Sequence, residues 1–413
     1  MPTTKTRGSN FMSLRLQHLL PVAAAALFTI SGCKQAPAPS ESATTQPQPA
    51  ATAPQQIGGE DIVTLERKPT SNGAKPEFIS AVVLPGRGMN LFSLKANVPG
   101  KGDVDVFYTL PLADAAAKLN GGTGDENGNA SFLQGGAFLV PYPNRIRGKL
   151  SADGKTIAVD WKGKTINLPA NWKGKNAGAE PHAMHGLILA SKTDDVKTET
   201  TSDGQTVTGT IHAGDFGGYW PSKTDLAFTI ALAGDAVDAT ITAKNVGDQP
   251  EPMAIGWHPY FNIPSGDRKQ VRLHVPGEQT AEVNNYDDVF PTGKLVPVKG
   301  TKYDFTAPDG RPLDDIFLDD NWSKLQRTDG AVDVKLIDPA SSYGIDVLGM
   351  SPEIKTVQVY APPTKEFTAI EEQFNFGDPW GKEWHGVDTG MVTLKPGQAV
   401  TWHVRLKLFT PAK

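Results

Sequence analysis

Near its C-terminus the chain alternates without a break: Val400, Trp402, Val404, Leu406 and Leu408 are apolar, with Thr401, His403, Arg405 and Lys407 between them. A period of two over so many residues suits a β-strand with one buried face and is incompatible with a helix. The same period runs through Leu226, Phe228, Ile230 and Leu232, breaks at Gly234-Asp235, and returns through Val237, Ala239, Ile241 and Ala243. Two such runs around a short glycine-containing break predict a hairpin. Further tight turns are marked by Asp153-Gly154, Asp203-Gly204 and Lys395-Pro396-Gly397. The 42 glycines and 33 prolines are too many for a helical protein and fit a fold of short strands. Only Leu112 to Leu119 reads as a helix. With neither a second linker nor a repeat, residues 58–413 are expected to form one all-β domain, a large sandwich. A single sheet of that size would leave an apolar face in water, so two must stack.

The first 57 residues follow other rules. Lys5, Arg7 and Arg15 precede an apolar run from Leu19 to Ile30, which is short for a membrane span and reads as the core of a signal peptide. The run ends in Ile30-Ser31-Gly32-Cys33, which resembles the lipobox of bacterial lipoproteins, where the cysteine becomes the lipid-bearing N-terminus of the mature chain. Cys33 is the single cysteine in the sequence, which excludes an intrachain disulfide and any multi-cysteine metal site. From Lys34 to residue 57 the composition is mostly Ala, Pro, Gln, Ser and Thr, so this stretch is expected to be a disordered tether. Lys34, in place of an aspartate, resembles the pattern of lipoproteins sent on to the outer membrane. The expected address is the cell envelope, lipid-anchored and facing the periplasm. Met12 offers a more compact start to the signal than Met1.

The net charge of −5 is mild and spread out, and no basic cluster marks a nucleic-acid surface. Candidate chemical groups lie far apart in sequence. His258 stands in the aromatic run Gly256-Trp257-His258-Pro259-Tyr260-Phe261-Asn262, where a core position and a catalytic one are both open readings. Asn144-Arg145 suits a strand end, His185-Gly186 a turn, and Asp314-Asp315 with Asp319-Asp320 a solvated acidic loop. That loop lacks the spacing and glycine of a calcium site, and His182 with His185 lacks the spacing of a helical zinc pair, so no metal is expected. Because alternate positions of several strands share a face, such scattered residues can converge on one side of a sheet.

Six stretches fall in the order seen in the aldose 1-epimerase, or galactose mutarotase, family: Phe138 to Ile146, His185-Gly186-Leu187, His258 to Asn262, Leu313 to Phe317, Val357 to Tyr360, and Ile370 to Gln373. The chain resembles that family from about residue 60 to residue 411. The resemblance implies a large twisted β-sandwich of the galactose mutarotase type, with no cofactor. It implies Glu371 as general base and His258 as general acid in the interconversion of the α- and β-anomers of a free hexose such as glucose or galactose. His185 would bond the ring or anomeric oxygen, and Asn144, Arg145, Asp314 and Gln358 would hold the other hydroxyls. Glu372 rivals Glu371, and Arg147 rivals Arg145; the register from Gln373 favours Glu371.

The chain departs from the family pattern after Leu187, where Ile188-Leu189-Ala190 replaces the usual arginine and downstream tryptophan. It departs again in the long aromatic stretch Gln373 to Trp380. Both departures border the expected pocket, which leaves the preferred sugar open. A mutarotase for hexose 6-phosphates is one alternative, set against the envelope address and the lack of an added basic cluster. A non-catalytic carbohydrate-binding lipoprotein is another, set against the presence of a matched acid and base. The lipid anchor has a direct test. Cys33→Ser is expected to move the protein from the membrane pellet to the soluble fraction after cell lysis, and continued pelleting would refute lipidation.

Overall fold

The computed structural model describes residues 55–411; the expected signal peptide, Cys33 and the tether up to residue 54 lie outside the described residues. The C-terminal alternation forms the strand Ala399–Phe409, which lies beside Ala236–Asn245 and Tyr343–Gly349 in a nine-stranded antiparallel sheet. The expected hairpin is Thr224–Leu232 with Ala236–Asn245, in the register Leu226 opposite Ala243 and Ile230 opposite Ala239. The short helix forms over Leu112–Lys118, as the sequence predicts.

A second, seven-stranded sheet carries the aromatic histidine segment. Its strands lie side by side in the order Pro291–Pro297, Gly277–Val283, Leu318–Leu325, Thr356–Ala361, Phe367–Gln373, Gly256–Asn262 and Gly136–Leu139. In this sheet Gln358 stands directly opposite both Glu371 and Asn321 on its two neighbouring strands.

The two sheets meet on large aromatic side chains. Trp402 of the nine-stranded sheet meets Trp257 of the seven-stranded sheet edge-on, with ring centroids 6.1 Å apart. Its indole N–H donates to the Glu372 carbonyl at 3.0 Å, which ties a buried polar atom across the interface. Phe138 stacks on Trp257 at 5.8 Å and also meets Trp402 and Phe228. Val357, Val359, Ile370, Val404 and Leu406 complete this inner layer. The side chains that alternate with them must face away from the nine-stranded sheet, and these include His258, Gln358 and Glu371.

Gln56–Ile57 pairs with Glu60–Asp61, and Ile57 packs in an apolar cluster with Leu84 and Phe92. The domain therefore takes in residues just before the boundary expected at 58, because a buried isoleucine anchors them. A four-stranded sheet follows over Val63–Glu66, Glu77–Leu84, Asn90–Val98 and Gly102–Asp105. Removing the indole that joins the two large sheets should be costly. Trp402→Ala is expected to lower the unfolding free energy by about 3–5 kcal/mol, measured by chemical denaturation; a loss below about 1 kcal/mol would contradict this packing.

Candidate active site

The outer face of the seven-stranded sheet floors a cleft of about 470 Å³, whose lining includes His258, Glu371, Gln358 and Asp319. These four stand on neighbouring strands, so the floor crosses the sheet rather than following one strand. Asn144, Arg145 and His185 reach the same cleft from a small two-stranded unit in which Arg145 pairs with Met184. Asn144 and His185 both adopt left-handed backbone, at φ 63° and 60°, a conformation unusual for a histidine. The backbone N–H of His185 donates to the Asn144 carbonyl at 3.0 Å, locking the two bends together. Gly186 follows at φ 81°, and a Cβ there would sit 2.4 Å from the Val140 carbonyl oxygen. Glycine is therefore required beside His185.

At the deep end, His258 Nε2 lies 3.3 Å from Glu371 Oε1. The second carboxylate oxygen of Glu371 accepts from the Gln373 amide at 2.6 Å. His185 meets His258 edge-on with rings 5.0 Å apart, and Phe132 and Tyr260 pack against the two imidazoles. Among the described residues neither Nδ1, of His185 or of His258, finds a hydrogen-bond partner. The other half of the floor is one linked network. Asn144 donates to Gln358 at 3.2 Å, and Gln358 donates to Asp319 at 2.7 Å. Arg145 donates to Asn144 Oδ1 at 3.1 Å and pairs with Asp319 at 3.3 Å. The cleft thus presents an imidazole–carboxyl pair at one end and a fixed array of donors and acceptors at the other. That division suits proton transfer on a neutral, hydroxylated ligand held in one orientation.

Of the residues expected from the sequence, Asn144, Arg145, His185, His258, Gln358 and Glu371 come together here, and Asp314 does not. Asp314 is exposed on a turn, and Arg268 holds that turn from behind by donating to the carbonyls of Asp314, Ile316 and Ala361. The carboxylate in the cleft belongs to Asp319, five residues later on a strand. Alternation is the signal that finds it: Leu318 and Trp322 are buried, and Asp319 stands opposite Tyr360, another cleft residue. The two rivals separate cleanly. Glu372 points between the sheets, with both carboxylate oxygens lacking a hydrogen-bond partner among the described residues. Arg147 lies over the Phe290 ring at 4.2 Å and pairs with Glu180 at 3.6 Å, while Arg145 enters the cleft. Gln373, the residue that orients Glu371, was not singled out for a role from sequence.

Burial dominates the electrostatics of the deep end. It pushes the His258 imidazole down to about 3 and the Glu371 carboxyl well above its ordinary range, with the Asp319 charge adding to the rise. His185 is held well below its usual value by burial and then by His258. In His258 and Glu371 alike burial disfavours the charged form, so the facing imidazole and carboxyl, 3.3 Å apart, are each biased toward neutrality.

Comparison with known proteins places this geometry in context. A family model described as aldose 1-epimerase matches residues 126–407, well over half of the chain. Among curated relatives, a maltose epimerase from Levilactobacillus brevis is 24% identical over 230 residues, covering 54% of this chain and 62% of the relative. A human galactose mutarotase is 26% identical over 195 residues, covering 45% of this chain and 52% of the relative. The matched stretch thus spans roughly half to three-fifths of these relatives. Among solved structures, a galactose mutarotase-like protein from Clostridium acetobutylicum superimposes with a TM-score of 0.64 at 19% identity, over 82% of this chain and 93% of that one. An aldose epimerase homologue from C. elegans does so with a TM-score of 0.60 at 17% identity, over 81% and 96%. At these identities the structural likeness speaks for the fold.

The depressed His258 pKa has a spectroscopic consequence. As pH falls from 8 to 5 its ring should stay neutral, so its ¹⁵N shifts should not move. Exposed His212, raised by its hydrogen bond to Asp225, should titrate above the ordinary histidine value and serve as the internal control. A His258 midpoint near the usual 6.5 would overturn the burial argument.

Proposed function

The chain belongs to the aldose 1-epimerase family, and we propose that it interconverts the α- and β-anomers of free hexoses such as glucose or galactose at the His258–Glu371 pair. The observation that carries this reading is the 3.3 Å contact between an imidazole and a carboxyl group at the deep end of a cleft otherwise built to hold hydroxyls.

Anomer exchange requires the C1 hydroxyl to lose a proton while the ring oxygen gains one. The reactive form of the pair is carboxylate and imidazolium, reached when a proton on the Glu371 carboxyl passes to His258. Glu371 then takes the C1 hydroxyl proton, the C1–O5 bond breaks, and His258 delivers its proton to O5. The products are a free aldehyde and a hydroxyl. Rotation about C1–C2 presents the opposite face of the carbonyl. O5 then attacks C1, His258 takes back the O5 proton, and Glu371 protonates the carbonyl oxygen. The pair ends with the same one proton it began with, as an isomerisation demands. Gln373, donating to the far oxygen of Glu371, orients the carboxylate toward the substrate. His185, beside His258, is placed to bond the oxygen that develops at C1 or O5. Asn144, Arg145, Gln358 and Asp319 hold the remaining hydroxyls, and the charged members form the stronger bonds.

The membrane address stays part of the proposal through Cys33, which lies outside the described residues. The catalytic assignment is tested by polarimetry on freshly dissolved α-D-glucose and α-D-galactose. Glu371→Gln and His258→Asn are each expected to lower kcat by about 10²–10⁴-fold with folding retained. Parent-like rates in both variants would sink the assignment.

A further inference from the structure

Among the described residues, the His258 imidazole has no polar partner except its own base. Its Nδ1 finds no hydrogen bond, and its Nε2 faces Glu371. Once Nε2 serves O5 of a sugar, as anomer exchange requires, only packing is left to aim the ring. A misplacement of about 1 Å can cost on the order of 10²-fold in rate. What packs against His258 is therefore part of the reaction's geometry.

Three rings enclose it. Tyr260, two residues along the same strand and so on the same face, lies 4.8 Å away at 32°. His185 meets it edge-on at 5.0 Å, and Phe132 stands at 6.2 Å and 41°. Phe132 also packs on His185 at 4.7 Å, so one phenyl ring serves both imidazoles. That phenyl ring belongs to the short helical turns over Glu126–Leu133, 128 residues before Tyr260 in the chain. A single bond joins these two walls: the buried Tyr260 hydroxyl donates to the Phe132 carbonyl at 3.0 Å. The Tyr260 backbone N–H donates to the Gly135 carbonyl at 2.8 Å, so the segment is pinned at two points. Phe367 backs the phenol edge-on at 4.9 Å. Burial, with the nearby Glu371 adding to it, holds that phenol well above its ordinary range, so the hydroxyl keeps its proton and stays a donor.

We propose that Tyr260 is a positioning residue for anomer exchange: its hydroxyl ties Phe132 and the two imidazoles into one frame that aims His258 at the ring oxygen. The proposal rests on the mutarotase reading of the cleft. Loss of the hydroxyl leaves the Phe132 carbonyl without this donor in a buried setting, which favours a shift of the segment that carries it. The Phe132 ring moves with that segment, and both imidazoles lose a wall. At the other end of the cleft Asn144, Gln358 and Asp319 keep their own network, which the tie does not enter. The chemical step therefore suffers while sugar binding does not.

Tyr260→Phe keeps the ring and removes only the tie. In polarimetry on α-D-glucose and α-D-galactose it is expected to lower kcat by about ten- to a hundredfold, with KM within about twofold of the parent. A readout that needs no turnover is ¹³C relaxation dispersion on the histidine rings. In the variant His258 and His185 should gain microsecond-to-millisecond exchange absent from the parent, with exposed His212 unchanged as control. Phe132→Leu keeps the carbonyl and its hydrogen bond but removes the shared ring. It should produce the same exchange in both histidines, and it decides the matter if Tyr260→Phe does not fold. Histidine rings unmoved in both variants would overturn the frame. Parent-like kcat in Tyr260→Phe, or a loss confined to KM or to Tm, would overturn the positioning role and leave the catalytic reading standing. Exchange in the variants, with no mutarotation of any sugar by the parent, would overturn the catalytic reading and keep the frame.

Discussion

The strand Phe367–Gln373 has two faces that do opposite work, and the site depends on its being held between them. On one side Ile370 and Glu372 enter the inter-sheet layer, where the Trp402 indole fixes the Glu372 carbonyl. On the other, Ala369 and Glu371 face the cleft and the histidine. Slippage by one residue would exchange the two glutamates, putting Glu371 among aromatics and Glu372 in the cleft. The buried tryptophans are therefore as necessary to the site as the carboxyl group itself, because they select which glutamate reaches it.

Asn144 and His185 show a second kind of dependence. Left-handed backbone at residues other than glycine costs of order 1–3 kcal/mol per position, and such positions persist only where their surroundings enforce them. Here the enforcement is mutual: His185 N–H bonds the Asn144 carbonyl, Gly186 lets the chain pass Val140, and Asn144 is tied through Gln358 to the central strands. The cost is met by the fold, so the polar array is in place before any ligand arrives. Pre-set donors and acceptors of this kind are most effective where water is excluded, and the same burial drives His258 and Glu371 toward their neutral forms. One environment thus both orders the site and biases its imidazole and carboxyl toward their neutral forms.

Much of the architecture was legible because it is local. The hairpin of Thr224–Leu232 with Ala236–Asn245, the terminal strand and the helix at Leu112–Lys118 each follow from a period or turn signal within a dozen or so neighbouring residues. That Glu371 and Glu372 face opposite ways was readable for the same reason, whereas preferring Glu371 came from the family resemblance and its register from Gln373. Asp314 was misplaced because the acidic stretch around it crosses from a turn into a strand. A motif match is blind to that boundary, whereas burial of Leu318 and Trp322 reveals it.

By itself the sequence determined an all-β sandwich, the inward and outward faces of its strands, and the ordered set of polar residues from Asn144 to Glu371. Only the tertiary structure decided that Asp319 rather than Asp314 lines the cleft, that the Gln373 amide bonds the Glu371 carboxyl, and that Tyr286 and Phe317 line the same cleft. These outcomes turn on which strands become neighbours, as when Asn144 meets Gln358 across 214 residues of chain. Strand order is set by packing of the whole core, and no short-range periodicity encodes it.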